Sequence, residues 1–240
     1  MKVLKLHPWD VTPREAMEIQ NQLKPKMVLG NGPELENISK IAAADVSYDK
    51  STNTVYAAVM VFSFPDLSLL EEKHASSAAT FPYVPGLLVF REGPTLIRAF
   101  EEISQEPDVV IFDGQGIAHP RGIGIATHMG ILLDKPSIGC AKTVLVGDFE
   151  EPEETAGSYT PLVKNSVQLG VALRTKDRVE PVFVSVGHKI DLTTAIDIVR
   201  KCSRGYRLPE PIRQAHILSN RLREEKGKKK DEAPISFEST

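Results

Sequence analysis

Three carboxylates stand where a metal ion could use them. Asp45 interrupts the apolar run IAAADVSY, Asp113 closes the run DVVIFDG, and Glu92 lies between them in VFREGP. Carboxylates fixed on a sheet suit a hard divalent cation, which takes oxygen ligands, keeps several waters and is usually held by one or two protein carboxylates together with a substrate phosphate. Such an ion supports displacement at phosphorus, which points to a nuclease. Asp113 also has a plainer reading, because Asp-Gly at the end of an apolar run is a common turn after a strand. Asp45 resists that reading: Ile41, Ala42, Ala43, Ala44 and Val46 surround it, and a charge in the centre of a strand needs a partner. The small alanines beside it leave room for a ligand.

The elements that must hold these residues follow from caps, periodicity and turns. Thr12-Pro13-Arg14-Glu15 is a capping box with proline at the first helical position, so a helix is predicted to about Leu23. Runs near 40–48, 54–64 and 69–78, separated by DKSTNT and by Pro65-Asp66, read as the strands of an antiparallel meander. A helix is predicted over 94–103, starting at Pro94, then a strand over 108–113, a helix over 122–133 and a short strand over 136–141. The stretch 148–158 carries Glu150, Glu151, Glu153 and Glu154, too acidic for a core, and reads as an exposed loop. Strands near 167–174 and 181–186 precede helices over 191–202 and 210–225. This pattern is α/β, with a mixed sheet (an antiparallel meander plus parallel strands) flanked by helices, the order found in ribonuclease H-like nucleases.

With 240 residues, 41% of them hydrophobic, the chain can bury a sizeable core. The expected organisation is a single domain over 1–225 and a flexible charged tail over 226–240. Cys140 and Cys202 form no CxxC or Cys/His cluster, which argues against a disulfide framework or a zinc site. No apolar stretch reaches the roughly 18 residues of a membrane span, and MKVLKLHPWD lacks the apolar centre of a signal peptide, so a cytoplasmic protein without membrane contacts is expected. The net charge of −3 hides an asymmetry. From Arg200 to Lys230, 11 Lys or Arg stand against 3 Asp or Glu, leaving −11 on the remainder. The basic segment suits phosphates, with Arg204, Arg207 and Arg213 as candidate contacts, while the acidic remainder holds metal. For the terminal KGKKK alone, a solvated tail is the better reading.

Several motifs fail on their spacing. Gly114-Gln115-Gly116 follows a strand like a dinucleotide fingerprint, but His119 stands where the third glycine should be. Cys140-Ala141-Lys142-Thr143 ends like a phosphate loop, yet Ala141 replaces the glycine before the lysine. The six histidines form no HExxH pair.

The blocks PYVPG (Pro82, Tyr83, Val84, Pro85, Gly86) and VFRE, then DGQGIAHPRGIGIATHMG, GCAKT, VSVGH and YRLPEPIRQAH, occur in this order and closely resemble endonuclease V, the deoxyinosine-specific repair nuclease. The resemblance covers about residues 5–224. It implies a ribonuclease H-like fold and Mg²⁺-dependent cleavage, with Mn²⁺ as a substitute, at the second phosphodiester bond 3′ to deoxyinosine, leaving 3′-hydroxyl and 5′-phosphate ends. The implied metal carboxylates are Asp45, Glu92 and Asp113, and the implied active-site lysine and histidine are Lys142 and His216. A lysine is a compact cation suited to charge building on phosphorus, and His216 could orient or deprotonate the attacking water or position a second metal. Residues 82–86 resemble the family's strand-separating wedge, in which two prolines stiffen a tip that presents Tyr83 to the gap left by an extruded nucleotide. Gly116, Gly124 and Ile125 match positions near the base pocket, where backbone amides could donate to O6 and N7 of hypoxanthine and leave no space for the 2-amino group of guanine. Gln115 is a departure, since many members have histidine there. A glutamine keeps a donor and an acceptor but cannot be protonated. The implied partner is inosine-containing DNA, and the chain is read as a monomer. Inosine in RNA, mismatches or flaps are the alternative substrates. A nucleic-acid-binding module without catalysis is disfavoured by the three matched carboxylates.

Overall fold

The computed structural model describes residues 1–231, with side chains through residue 225. Helix α1 (Pro13–Leu23) starts where the capping box predicts. Thr12 Oγ1 accepts from the Glu15 amide at 3.3 Å while the Glu15 carboxylate accepts from the Thr12 amide at 2.7 Å. Strands β1 (Lys40–Asp49), β2 (Thr54–Ser63) and β3 (Leu69–Ala78) form the expected antiparallel meander. The chain continues through α2 (Leu88–Glu101), β4 (Val109–Phe112), α3 (Ile125–Leu133), β5 (Ser137–Ala141), β6 (Tyr159–Lys164), β7 (Val167–Leu173), β8 (Val182–His188), α4 (Leu192–Lys201) and α5 (Glu210–Asp231).

Among the described residues the eight strands make one sheet, in the order β3-β2-β1-β4-β5-β8-β7-β6. Neighbours β1, β4 and β5 are parallel, and the other pairs are antiparallel. Every residue of β4 and β5 is buried, as their unbroken apolar runs demand of central strands covered on both faces. On one face Ala42, Ala44, Val110 and Phe112 share an apolar layer with Leu23 of α1, Phe90 of α2 and Met129 of α3. On the other, Ala43, Ile111 and Ile138 pack with Ile198 of α4 and with Ile212, Ala215 and Leu218 of α5. The small side chains of β1 let α5 come close, and Ser47 Oγ donates to the Ser219 carbonyl at 2.7 Å. This contact fixes α5 across Asp45.

Three elements depart from the sequence-based prediction. Helix α2 begins at Leu88, well ahead of Pro94, which lies inside it. Val89, Phe90, Leu96, Ala99 and Phe100 are all buried along this helix, and their burial outweighs the hydrogen bond that a proline cannot make. Glu92 therefore projects from a helix and not from the sheet. Strand β6 was not among the predicted strands; it contains Pro161 and lies at an edge of the sheet, where a missing ladder donor is tolerated. Helix α5 runs on to Asp231, so the first part of the expected tail is helical, and residues 232–240 lie outside the described residues. No helix among the described residues is long and apolar enough to cross a membrane.

Candidate active site

The pairing of β1 with β4 brings the two aspartates together. Ala44 lies opposite Phe112 in this parallel pair, and the next residue on each side is an aspartate. Asp113 falls one residue beyond β4, and its amide donates to the Ala44 carbonyl at 3.1 Å. Asp45 is only 5% exposed, and the partners its burial requires come from α5. Ser219 Oγ donates to Asp45 Oδ2 at 2.5 Å, and His216 Nδ1 lies 3.3 Å from the same oxygen. The spacing of three residues places His216 and Ser219 on one side of the helix. Lys142, just past the end of β5, forms an ion pair with Asp113. Asp45, Asp113 and His216 each offer one ligand atom, all within 4.8 Å of one another.

This crowding shifts proton affinities in opposite directions. Burial works to raise the Asp45 carboxyl, but the hydrogen bonds from His216 and Ser219 prevail and hold it below its ordinary value. Asp113 is pushed up to about 6 by burial and by the Asp45 charge, against the pull of Lys142. The hydrogen bond to Asp45 raises His216, with partial burial opposing. Glu92, reaching in from α2, is driven up to about 8 by burial and then by the charges of Asp45 and Asp113, with Arg91 opposing. The Asp45 charge raises both Asp113 and Glu92, as expected where several carboxyl groups crowd one site. A hard divalent cation fits that donor set.

Beside these carboxylates opens a cavity of about 380 Å³, within the range of small-molecule sites. Glu92, Asp113 and Lys142 line one part of it. Tyr83, Pro85 and Gly86 border another, and Gly114, Gly124 and Ile125 contribute further wall. Tyr83 is 67% exposed, with Pro82 and Pro85 also exposed, Val84 half-buried and Gly86 buried. Gly116 does not line the cavity. Its amide donates to Ser185 Oγ at 2.9 Å, and a Cβ there would come within 2.1 Å of the Val186 carbonyl, so this glycine answers to close packing. The Gly124 amide is likewise engaged, donating to the Gly116 carbonyl at 2.9 Å. Ile125 is the first residue of α3, whose leading amides have no acceptor within the helix. Gln115 Nε2 donates to the Thr143 carbonyl at 2.8 Å, joining the ends of β4 and β5.

The three candidate phosphate-binding arginines have distinct surroundings. Arg207 Nη2 donates to the carbonyls of Lys142 at 2.7 Å and Pro181 at 3.1 Å, and its guanidinium pairs with Glu180 at 3.0 Å. Arg213 makes two 2.7 Å hydrogen bonds to Glu210 and lies over the Tyr206 ring at 4.4 Å. Arg204 is exposed, with one hydrogen bond to the Pro65 carbonyl at 3.0 Å among its contacts. Two site residues had gone unnoticed in the sequence. Ser219 could have been found from its spacing to His216, and Gln20 from its place on the apolar face set by Ala16, Ile19 and Leu23.

Paired carboxylates on adjacent parallel strands, crossed by a helix carrying histidine and serine and open to a base-sized recess, define a ribonuclease H-like nuclease. The family model for endonuclease V matches residues 21–217. Endonuclease V of Methanothrix thermoacetophila is 50% identical over 221 residues, 91% of this chain and 96% of that protein. The crystal structure of the Bacillus subtilis endonuclease V superposes with a TM-score of 0.91 at 33% identity, covering 95% of this chain and 100% of the other. Ciona intestinalis endonuclease V, solved with a 23mer DNA containing an inosine followed by a ribo-adenosine, gives a TM-score of 0.80 at 27% identity over 90% of this chain and 99% of the other. The chain belongs to the endonuclease V family.

Proposed function

We propose that the protein is a Mg²⁺-dependent endodeoxyribonuclease that recognises deoxyinosine, the product of adenine deamination, and hydrolyses the second phosphodiester bond 3′ to it, leaving 3′-hydroxyl and 5′-phosphate ends. The observation that carries this reading is the Asp45–Asp113–His216 cluster beside the cavity, in a chain of this family. Asp45 and Asp113 would hold the cation, with Glu92 binding directly or through water. When bound, the cation supplies Lewis-acid polarisation of a phosphoryl oxygen and neutralises the leaving oxygen, and Mn²⁺ would serve in its place.

The chain's own residues supply the rest. Ser219 holds Asp45 Oδ2, which keeps that carboxylate ionised and fixes its direction. Lys142, stationed against Asp113, offers an ammonium to the charge that builds on phosphorus. His216, raised by Asp45 and half-buried, orients the attacking water at its outward face. The exposed Tyr83 ring on its proline-stiffened tip fills the gap left by the extruded nucleotide, while Gly124 and Ile125 face the base in the cavity. Arg204 is the exposed candidate for a phosphate contact. We place the enzyme in the cytoplasm as a monomer; the two buried free cysteines suit a reducing compartment.

A second reading, tolerance of ribonucleotides, is favoured by the ribo-adenosine that follows inosine in the Ciona intestinalis complex. Matched inosine-containing DNA and RNA oligonucleotides, incubated with and without Mg²⁺ and mapped for the cut position, separate the two. Cleavage of the DNA at the second phosphodiester bond 3′ to the lesion, abolished by chelation, supports the first reading. Cleavage confined to RNA refutes it.

A further inference from the structure

Gln20 is fully buried on α1, on a helix face otherwise made by Ala16, Ile19 and Leu23. A buried amide costs free energy unless all its groups find partners. These partners lie far away in sequence. Gln20 Nε2 donates to the Gly86 carbonyl at 3.1 Å and to the Ile123 carbonyl at 3.2 Å, and Gln20 Oε1 accepts from Arg121 Nε at 2.5 Å. Gly86 closes the PYVPG tip, and Ile123 immediately precedes Gly124 and Ile125. One side chain thus fastens two walls of the same cavity.

The Gly86 carbonyl is a junction. It also accepts from Arg121 Nη2 at 2.5 Å and from His119 Nε2 at 3.0 Å. The Arg121 amide donates to His119 Nδ1 at 3.2 Å, which leaves the ring proton on Nε2, where it is needed. Burial and then the Arg121 charge push His119 down to about 4, so the ring stays neutral and this arrangement holds at neutral pH. Gly86 itself has φ +78°, and a Cβ there would lie 2.8 Å from Arg121 Nη2. The backbone at this point is therefore held from three sides. Arg121 forms no ion pair with a carboxylate among the described residues, so its charge strengthens the hydrogen bonds to Gly86 and Gln20.

We propose that Gln20 is a positioning residue for lesion recognition, locking the Tyr83 tip to the base-binding wall so that strand opening and base capture share one fixed geometry. This rests on the reading of residues 82–86 as the wedge. Gln20→Met keeps the side-chain length and removes every hydrogen bond, while Gln20→Glu keeps the Arg121 contact and removes both donations.

The test is single-turnover cleavage at saturating Mg²⁺ on duplexes with base-paired inosine and on single-stranded inosine oligonucleotides, which need no strand opening. Both Gln20 variants should lose roughly tenfold on the paired substrate and under about threefold on the single strand, with the Mg²⁺ dependence of the parent. Combined with Tyr83→Ala, Gln20→Met should add no further loss on the paired substrate, because both act through the same tip. Equal losses on the two substrates, additive losses in the double variant, or parent-like rates in both Gln20 variants while Tyr83→Ala is impaired would overturn the Gln20 inference alone. A Tyr83→Ala variant that cleaves paired inosine as the parent does would refute the wedge reading, and the inference with it. Should Gln20→Met fail to fold, Gln20→Glu carries the same comparison.

Discussion

Ser219→Ala removes one short hydrogen bond from a buried carboxylate and leaves almost everything else in place. Ser219 Oγ donates to Asp45 Oδ2 at 2.5 Å, whereas the packing contact from Ser47 goes to the Ser219 carbonyl and survives the change. A hydrogen bond to a charged group contributes about 1.5–3 kcal/mol, so the metal-free protein should lose about 2 kcal/mol at pH 7, a drop in Tm of about 4–8 °C for a chain of this size. The pH dependence carries the argument. Asp45 is held below its ordinary value of 3.8, despite burial, by hydrogen bonds that include this one. Its contribution is therefore fully present above 3.8 and is lost as the pH falls through the depressed folded value. Once the carboxyl is protonated, Ser219 faces a neutral partner, and the difference between parent and variant should shrink to about 0.5–1.5 kcal/mol. Urea unfolding of both proteins in a chelator, stepped from pH 7 to pH 3, measures it. A difference that stays constant across that range, or none at pH 7, would refute the claim that Ser219 supports an ionised Asp45.

Asp45→Asn and Asp113→Asn should each nearly abolish Mg²⁺-dependent cleavage while leaving binding to inosine DNA largely intact, as gel-shift and single-turnover assays can read. Glu92 is protonated below about 8 in the metal-free protein, so Mg²⁺ binding at pH 7 should release a proton, and affinity should climb as the pH rises toward 8. Calorimetry in buffers of different ionisation enthalpy detects that release, which Glu92→Gln should diminish. Arg204→Ala should flatten the log–log salt dependence of DNA binding by roughly 0.9 if it neutralises one phosphate. Arg207→Ala, by freeing the Lys142 carbonyl, should lower the single-turnover rate with little change in that slope.

Much of this fold is written in local patterns. The capping box at Thr12 sets the start of α1, and the runs 54–64 and 69–78 with their turns set the meander, because caps, strand-forming runs and turn residues act over a few positions. Asp45 and Asp113 stood out for a related reason: a charge within or at the end of an apolar run is costly, and that cost is visible in the sequence without knowing the partner. Glu92 was picked out together with the two aspartates but misplaced on the sheet, because Pro94 imitates a helix start and only the burial of Phe90, Leu96 and Phe100 carries the helix through it. Gly116 gave no sign that its missing Cβ serves the approach of the Val186 backbone. The partners were the part that tertiary structure alone decided. Ser219 meets Asp45 across 174 positions, and Gln20 meets Gly86 across 66 and Ile123 across 103. Sequence can declare that a buried polar group must be satisfied; which group satisfies it depends on the sheet order and on which helix is laid across it, and those are set by the packing of the whole chain.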